Sequence, residues 1–343
     1  MAELAESGPE LRKKLVLHVD LNNTIVVSDG VTAQRTVAAL DSFLTSVTWG
    51  RRNRHGTWEW LSETPSLLPP CTDAVSYYSQ FGRVPGFTSS AEGRRFREVL
   101  ERHLDLLLWP EGVKRDGTLS VKGEDGRTYH WILPSFFQLL KDLAHEGRDF
   151  AIVFRTFGTD LPRLMRAMSR AVIEGAHPLF PNLPELKLSI DVTPGKIRCS
   201  KSAVVLSRGQ ERVSSRDGDR ELYRYLSSVQ GLGGFQDHFD WWAQNRFSID
   251  GGKPFWVDPF DQLVQHIFID DNIRHNDKDT IVNPKIFLQP GGSHTRTAST
   301  SELYDITLIQ TDLLQAISNP NYFTQRVHVC VDNYESNVQQ VAG

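Results

Sequence analysis

The sequence predicts an α/β fold with a parallel sheet, and three observations carry that expectation. Short apolar runs at Leu15–Val19, Phe150–Phe154 and Gln265–Ile269 each end in a polar cluster: Asp20, Thr156, and Asp270 with Asp271. Such runs read as strands buried on both faces. The second leads through Arg155-Thr156-Phe157-Gly158 into a helical stretch, Leu161 to Ile173, a β-turn-α unit. Between residues 31 and 130 this rhythm stops and an aromatic-rich, partly helical texture replaces it. At 343 residues the chain is long enough for one large α/β domain carrying an insertion, or for two domains.

Taken in order, the polar N-terminal arm leads to the first strand and Asp20-Leu-Asn-Asn-Thr24. Within the insertion, Ser89 to Leu108 has apolar residues at helical spacing, with Ser89 as N-cap and Glu92 three residues on, which predicts an amphipathic helix. Leu119–Val121 and Tyr129–Trp131 flank Gly123-Glu-Asp-Gly126 as a hairpin. A helix from Pro134 through Leu143 stops at Gly147. The stretch 178–247 reads as an excursion on the core, with strands at Leu186–Ser189 and Ser202–Leu206. Gly231-Leu-Gly-Gly-Phe235 lacks the spacing of a dinucleotide loop and reads as a plain loop. Lys285–Leu288 is a further strand, and Ile306–Ile309, Asp312–Ile317 and Val327–Val331 read as a closing strand, helix and strand.

Composition narrows function by exclusion. Thirty-eight basic residues against forty-two acidic ones give a net charge of -4, so no global positive field favours nucleic acid. No run of about 18 apolar residues suits a membrane span, and the opening MAELAESGPELRKK lacks a signal-peptide pattern, so a soluble, cytoplasmic protein is expected. Three widely spaced cysteines, Cys71, Cys199 and Cys330, suit neither a disulfide framework nor a metal clip.

In open parallel sheets ligands bind outside the carboxyl ends of the strands, so the three polar clusters should converge. Asp20, Asp270 and Asp271 would offer carboxylate oxygens to a hard cation such as magnesium. Thr156, the neighbouring N–H groups at Phe157, and Lys253 in Asp250-Gly-Gly-Lys would hold phosphate oxygens. Loop lysines are abundant, and an exposed turn is the plain alternative for Lys253. Arg155 and His275 border the proposed site, with a solvated surface role an equal reading for each. Asp237-His238-Phe-Asp240-Trp241-Trp242 is metal-capable in composition, but its aromatics favour a helix packed on the core.

The pattern resembles the haloacid-dehalogenase-like (HAD) hydrolase superfamily at four motifs in order: DLNNT, FAIVFRT, Lys253 seventeen positions before Asp270, and HIFIDD. The resemblance covers residues 15 to 30 and about 133 to 290. It implies a Rossmann-like three-layer parallel core from residues 11–30 plus 131–343, with 31–130 as an inserted, mainly helical first-type cap. It further implies a magnesium-dependent phosphohydrolase with Asp20 as nucleophile. The metal would be held by Asp20, Asp270, Asp271 and the backbone carbonyl of Asn22, and the substrate would be a phosphorylated small molecule or phosphoprotein. Where the family's phosphatases have a second Asp as general acid and base, this chain has Asn22. An amide has no proton to give at neutral pH, so a domain that binds a phosphorylated ligand or partner without turnover is the alternative.

Overall fold

The computed structural model describes residues 12–30 and 32–341, with side chains placed as far as residue 337. Its centre is an eight-stranded, mostly parallel sheet. In chain order the strands are β1 (Lys14–Val19), β2 (Phe150–Thr156), β3 (Gly195–Cys199), β4 (Val204–Arg208), β5 (Glu211–Ser214), β6 (Gly231–Gln236), β7 (Lys253–Val257), β8 (Val264–Asp270), β9 (Val282–Phe287), β10 (Thr295–Thr297) and β11 (Leu308–Gln310). The sheet runs β5-β4-β3-β6-β2-β1-β8-β11, while β7, β9 and β10 form a separate three-stranded sheet. Strands β3, β6, β2, β1, β8 and β11 are mutually parallel, and β4 and β5 fold back antiparallel at one edge.

Both faces of β1 are buried, as its unbroken apolar run requires. Leu15, Leu17 and Val19 face the helices Pro134–His145 and Leu161–Val172, together with apolar residues of the C-terminal helix such as Phe323 and Val327. Val16 faces the opposite layer, where Leu222 and Leu226 of the helix Asp219–Ser228 pack with Trp256 and Phe287 of the small sheet. One covering layer is therefore helical, and the other is part helix and part sheet. From β1 the sheet grows one way through β2 and β6, then the chain crosses to the other side of β1 to lay down β8 and β11. Direction thus reverses at the β1/β8 boundary, and both strands end there in aspartate.

Segment 31–130 contains the helices Thr36–Ser46 and Arg97–Leu106, a three-stranded sheet of Trp49–Arg52, Trp58–Trp60 and Val75–Ser76, and the expected hairpin, Ser120–Lys122 paired with Thr128–His130. Its apolar residues, among them Phe43, Phe87, Phe96 and Leu104, belong to the same cluster as Leu15 and Leu17 of β1. The stretch 178–247 supplies β3, β4, β5 and β6 of the main sheet.

Four local expectations fail for identifiable reasons. The amphipathic helix begins at Arg97, not after Ser89. Gly93 packs so tightly on Phe87 that an added methyl would lie 2.2 Å from its carbonyl oxygen, and two short 3-10 turns occupy the approach. Leu186–Ser189 is not a strand, because a 3-10 turn ends at Leu186 and Lys187 turns left-handed at φ 53°. Gly231–Phe235, expected to be a loop, lies in a strand inside the sheet. A methyl on Gly234 would come within 2.6 Å of the Leu161 side chain, so its missing side chain reflects crowding rather than a turn. Val327–Val331, expected as a strand, lies within the helix Tyr322–Val341.

Candidate active site

The carboxyl ends of β1 and β8 bring Asp20 and Asp270 together, and Lys253 at the start of β7 reaches both. Its ammonium donates to Asp20 Oδ1 and Asp270 Oδ2 at 2.8 Å each, and to the Arg155 carbonyl at 3.1 Å. The Lys253 and Asp270 side chains are wholly buried, while Asp20 keeps 10% of its side chain exposed. The plain reading of Lys253 as an exposed turn lysine is therefore wrong. Thr24, in the turn after β1, ties the cluster together: its hydroxyl donates to Asp20 Oδ2 at 3.1 Å and accepts from the Asp271 N–H at 3.1 Å. Ligand oxygens of Asp20, Asp270 and Asp271 lie within 4.8 Å of one another, the one such group suited to a metal among the described residues.

Charge in this cluster does not balance, with three carboxylates around one fully buried ammonium. Burial, and then the neighbouring Asp270 charge, push the Asp20 carboxyl up to about 7 despite Lys253. Burial with Asp270 and Asp20 push Asp271 well above the usual carboxylate range, although Arg274 opposes them. For Lys253, burial favours the neutral amine, but Asp20 and Asp270 outweigh it and hold the ammonium above its ordinary value. A donor set of oxygens with excess negative charge suits a hard divalent cation.

The end of β2 forms the other wall. The Thr156 hydroxyl, buried, accepts from the Gly158 N–H at 3.0 Å. A methyl placed on Gly158 would stand 3.4 Å from Thr156 Oγ1 and 3.6 Å from Asn22 Nδ2, so both groups look onto that glycine. The Asn22 amide oxygen accepts from the Ser28 hydroxyl at 3.2 Å. The Phe157 ring stacks on Trp242 at 5.3 Å and lies 5.1 Å from the Lys253 ammonium.

Arg155 does not reach a substrate: it is fully buried on the sheet face opposite the helix Pro134–His145. Its guanidinium donates to both oxygens of Asp237 at 2.7 and 2.8 Å, to the Pro254 carbonyl at 3.0 Å, and to His18 Nδ1 at 3.1 Å. Asp237 thus has the structural role expected of its segment, with the short helix Phe239–Gln244 following. His275 is exposed and packs on Tyr304 at 4.0 Å. Sequence reasoning missed Thr24, although it stands at the end of the DLNNT run.

No family model, no curated protein and no solved structure matches this chain. Among the described residues no helix is long and apolar enough to cross a membrane.

Proposed function

We propose that this protein is a magnesium-dependent phosphohydrolase of the haloacid-dehalogenase-like type, working through a phosphoaspartyl intermediate on Asp20. The observation that carries the reading is the meeting of Asp20, Asp270, Asp271 and Lys253 at the reversal point of a parallel sheet, where such folds bind ligands. Segment 31–130 is the cap of this reading and the remainder its core. The four residues fit a magnesium ion in donor chemistry and in charge, since three carboxylates face a single ammonium. Asp20, Asp270, Asp271 and the Asn22 carbonyl would hold the ion, which supplies positive charge to the phosphate oxygens when bound.

The chain's own groups then divide the work. An Asp20 oxygen attacks phosphorus, a new O–P bond forms, and the bond to the leaving oxygen breaks. Lys253, Thr156 and the N–H groups around Phe157 hold the non-bridging oxygens as charge develops on them. Water then attacks phosphorus, releasing phosphate and restoring Asp20. Asn22 looks onto the same loop but carries no transferable proton, so leaving groups that depart as stable anions are favoured.

A second reading rests on that same asparagine: a site that binds a phosphorylated ligand without turnover. Steady-state phosphate release from acetyl phosphate and nitrophenyl phosphate, with and without magnesium, separates the two. Magnesium-dependent release that disappears in Asp20→Asn supports hydrolysis, and release that persists in Asp20→Asn overturns the role of Asp20. Magnesium-dependent binding of both compounds without release favours the binding reading. Asn22→Asp should raise alkyl-phosphate turnover by about 10²- to 10⁴-fold, the usual worth of a positioned general acid, and nitrophenyl-phosphate turnover far less.

A further inference from the structure

Next to Ser28, which bonds Asn22, lies a cavity of about 160 Å³, lined among others by Gly30, Thr36, Trp131, Asp160 and Arg163. Both of its walls grow out of the candidate site. Ser28 donates to Asn22, and Asp160 stands two residues beyond Gly158, whose N–H donates to Thr156. Three of its polar side chains form no hydrogen bond or salt bridge among the described residues. The Arg163 guanidinium lies over the Trp131 ring, 3.9 Å from its centroid, half-buried, and forms no hydrogen bond or salt bridge, although the Asp160 charge acts on it. Stacking of this kind leaves the N–H edge free for a planar acceptor. Asp160 stands at the N-cap of the helix Leu161–Val172, where an aspartate normally accepts from its own helix, yet it forms no capping bond. Its carboxylate is instead turned toward Gly30, 3.2 Å from where a methyl there would be. The Thr36 hydroxyl is 1% exposed and unsatisfied. Other polar groups around the cavity are engaged: Gln34 with Ser42, and Arg35 with the Lys122 carbonyl.

A cation and an anion that attract each other without closing a salt bridge, beside an orphan hydroxyl, leave their hydrogen-bonding edges for a ligand group bearing both charges. We infer that this cavity binds a free α-amino carboxylate, carboxylate on Arg163 and ammonium on Asp160, in substrates that present their phosphate to Asp20. The volume suits such a group, being about five water molecules' share of the liquid. The substrate class is then small phosphorylated amino acids, and the assignment rests on the phosphate-site reading above.

Calorimetry with magnesium tests it, using methyl phosphate, phosphoglycolate, phosphoethanolamine, O-phosphoserine and O-phosphohomoserine on the full chain carrying Asp20→Asn to prevent turnover. One of the two amino acids should bind about 10- to 100-fold more tightly than the compounds carrying only one of the two charges, the usual worth of a charged hydrogen bond. Arg163→Met, which keeps a chain to cover Trp131, and Asp160→Asn should each remove that advantage and leave methyl phosphate unchanged. Equal binding of phosphoglycolate and both amino acids, or an advantage that survives both substitutions, overturns the inference alone. Failure of methyl phosphate and all the others to bind both this variant and the wild-type chain overturns the phosphate-site reading, and the inference with it.

Discussion

Two buried ion clusters lie back to back in this protein, joined by the backbone of Arg155 and Lys253, and they are built on opposite principles. Arg155 and Asp237 form a bidentate pair, one charge against one, and two of the three remaining guanidinium N–H groups go to Pro254 and His18. At the neighbouring cluster Lys253 faces Asp20, Asp270 and Asp271, and two of those carboxyls are held well above their usual range. A buried pair whose charges and hydrogen bonds close upon themselves asks for nothing further. A cluster with surplus charge of one sign asks for a ligand, and perturbed carboxyls at the ends of sheet strands are where function is expected. The contrast separates two groups of residues that look alike in a list of buried charges.

The largest effect should come from breaking the balanced pair. Asp237→Ala leaves Arg155 charged and unpaired inside the protein, and should cost about 3 to 5 kcal/mol in urea unfolding. Asp271→Asn removes one of three mutually repelling carboxylates. Without magnesium it should leave stability within about 1 kcal/mol of wild type, or raise it, as is common when a functional site is neutralised. With magnesium the same variant should lose most of the metal-linked gain in stability that wild type shows. Equal losses for Asp237→Ala and Asp271→Asn in magnesium-free buffer would erase the distinction between the clusters.

A smaller effect concerns pH and has a definite sign. Folding raises the Asp20 carboxyl from its ordinary 3.8 to about 7. Between those values the native state holds more protons than the unfolded chain. Magnesium-free stability from this group is therefore complete below pH 4 and declines as pH rises to 7, by at most about 1.4 kcal/mol per unit. Asp20→Asn should lack this decline. Its stability relative to wild type should accordingly grow across that window, as followed by urea unfolding. Saturating magnesium favours the ionised carboxylate and should flatten the wild-type slope.

How much of this was written in the chain depends on the range of the interaction. Asp20, Thr156 and Asp270 were legible because each ends a short apolar run, and a parallel sheet gathers strand ends by its geometry. Lys253 was legible by its interval from Asp270. The Arg155–Asp237 pair was not, because 82 residues separate its members and nothing local marks either as buried. Gly231–Phe235 misled because Gly231 is crowded by Ser189 and Gly234 by Leu161 and Phe154, packing that no local pattern records. Asp160 and Arg163 open a plainly amphipathic helix, yet the cavity they line appears only when Ser28, Gly30 and Thr36 are laid beside them.

The smallest effect tests how far the balanced region extends. From Arg155 a directed chain crosses the sheet: the guanidinium can only donate, so His18 Nδ1 must accept, and its Nε2–H donates to His266 Nδ1 at 3.0 Å. His266 Nε2–H then donates to the Ser227 hydroxyl at 2.9 Å, which leaves both rings neutral with fixed tautomers. Burial agrees, holding His18 well below its ordinary value, with Arg155 adding to the effect, and pulling His266 down to about 3. Here the sign is opposite to that of Asp20. Between pH 3 and 6.5 the unfolded chain takes up a proton that native His266 refuses, so this stability is complete above pH 6.5 and is lost as pH falls. Gln in place of His266 can still accept from His18 and donate to Ser227, but cannot be protonated. His266→Gln should cost about 1 kcal/mol at pH 7.5, through imperfect geometry in one hydrogen bond. That deficit should shrink steadily toward pH 5, as measured by urea unfolding at each pH. A deficit independent of pH would mean that native His266 takes up its proton as readily as the unfolded chain does. The charge would then have to be shared with Asp261, which favours it, and the region around Arg155 would not be electrically closed.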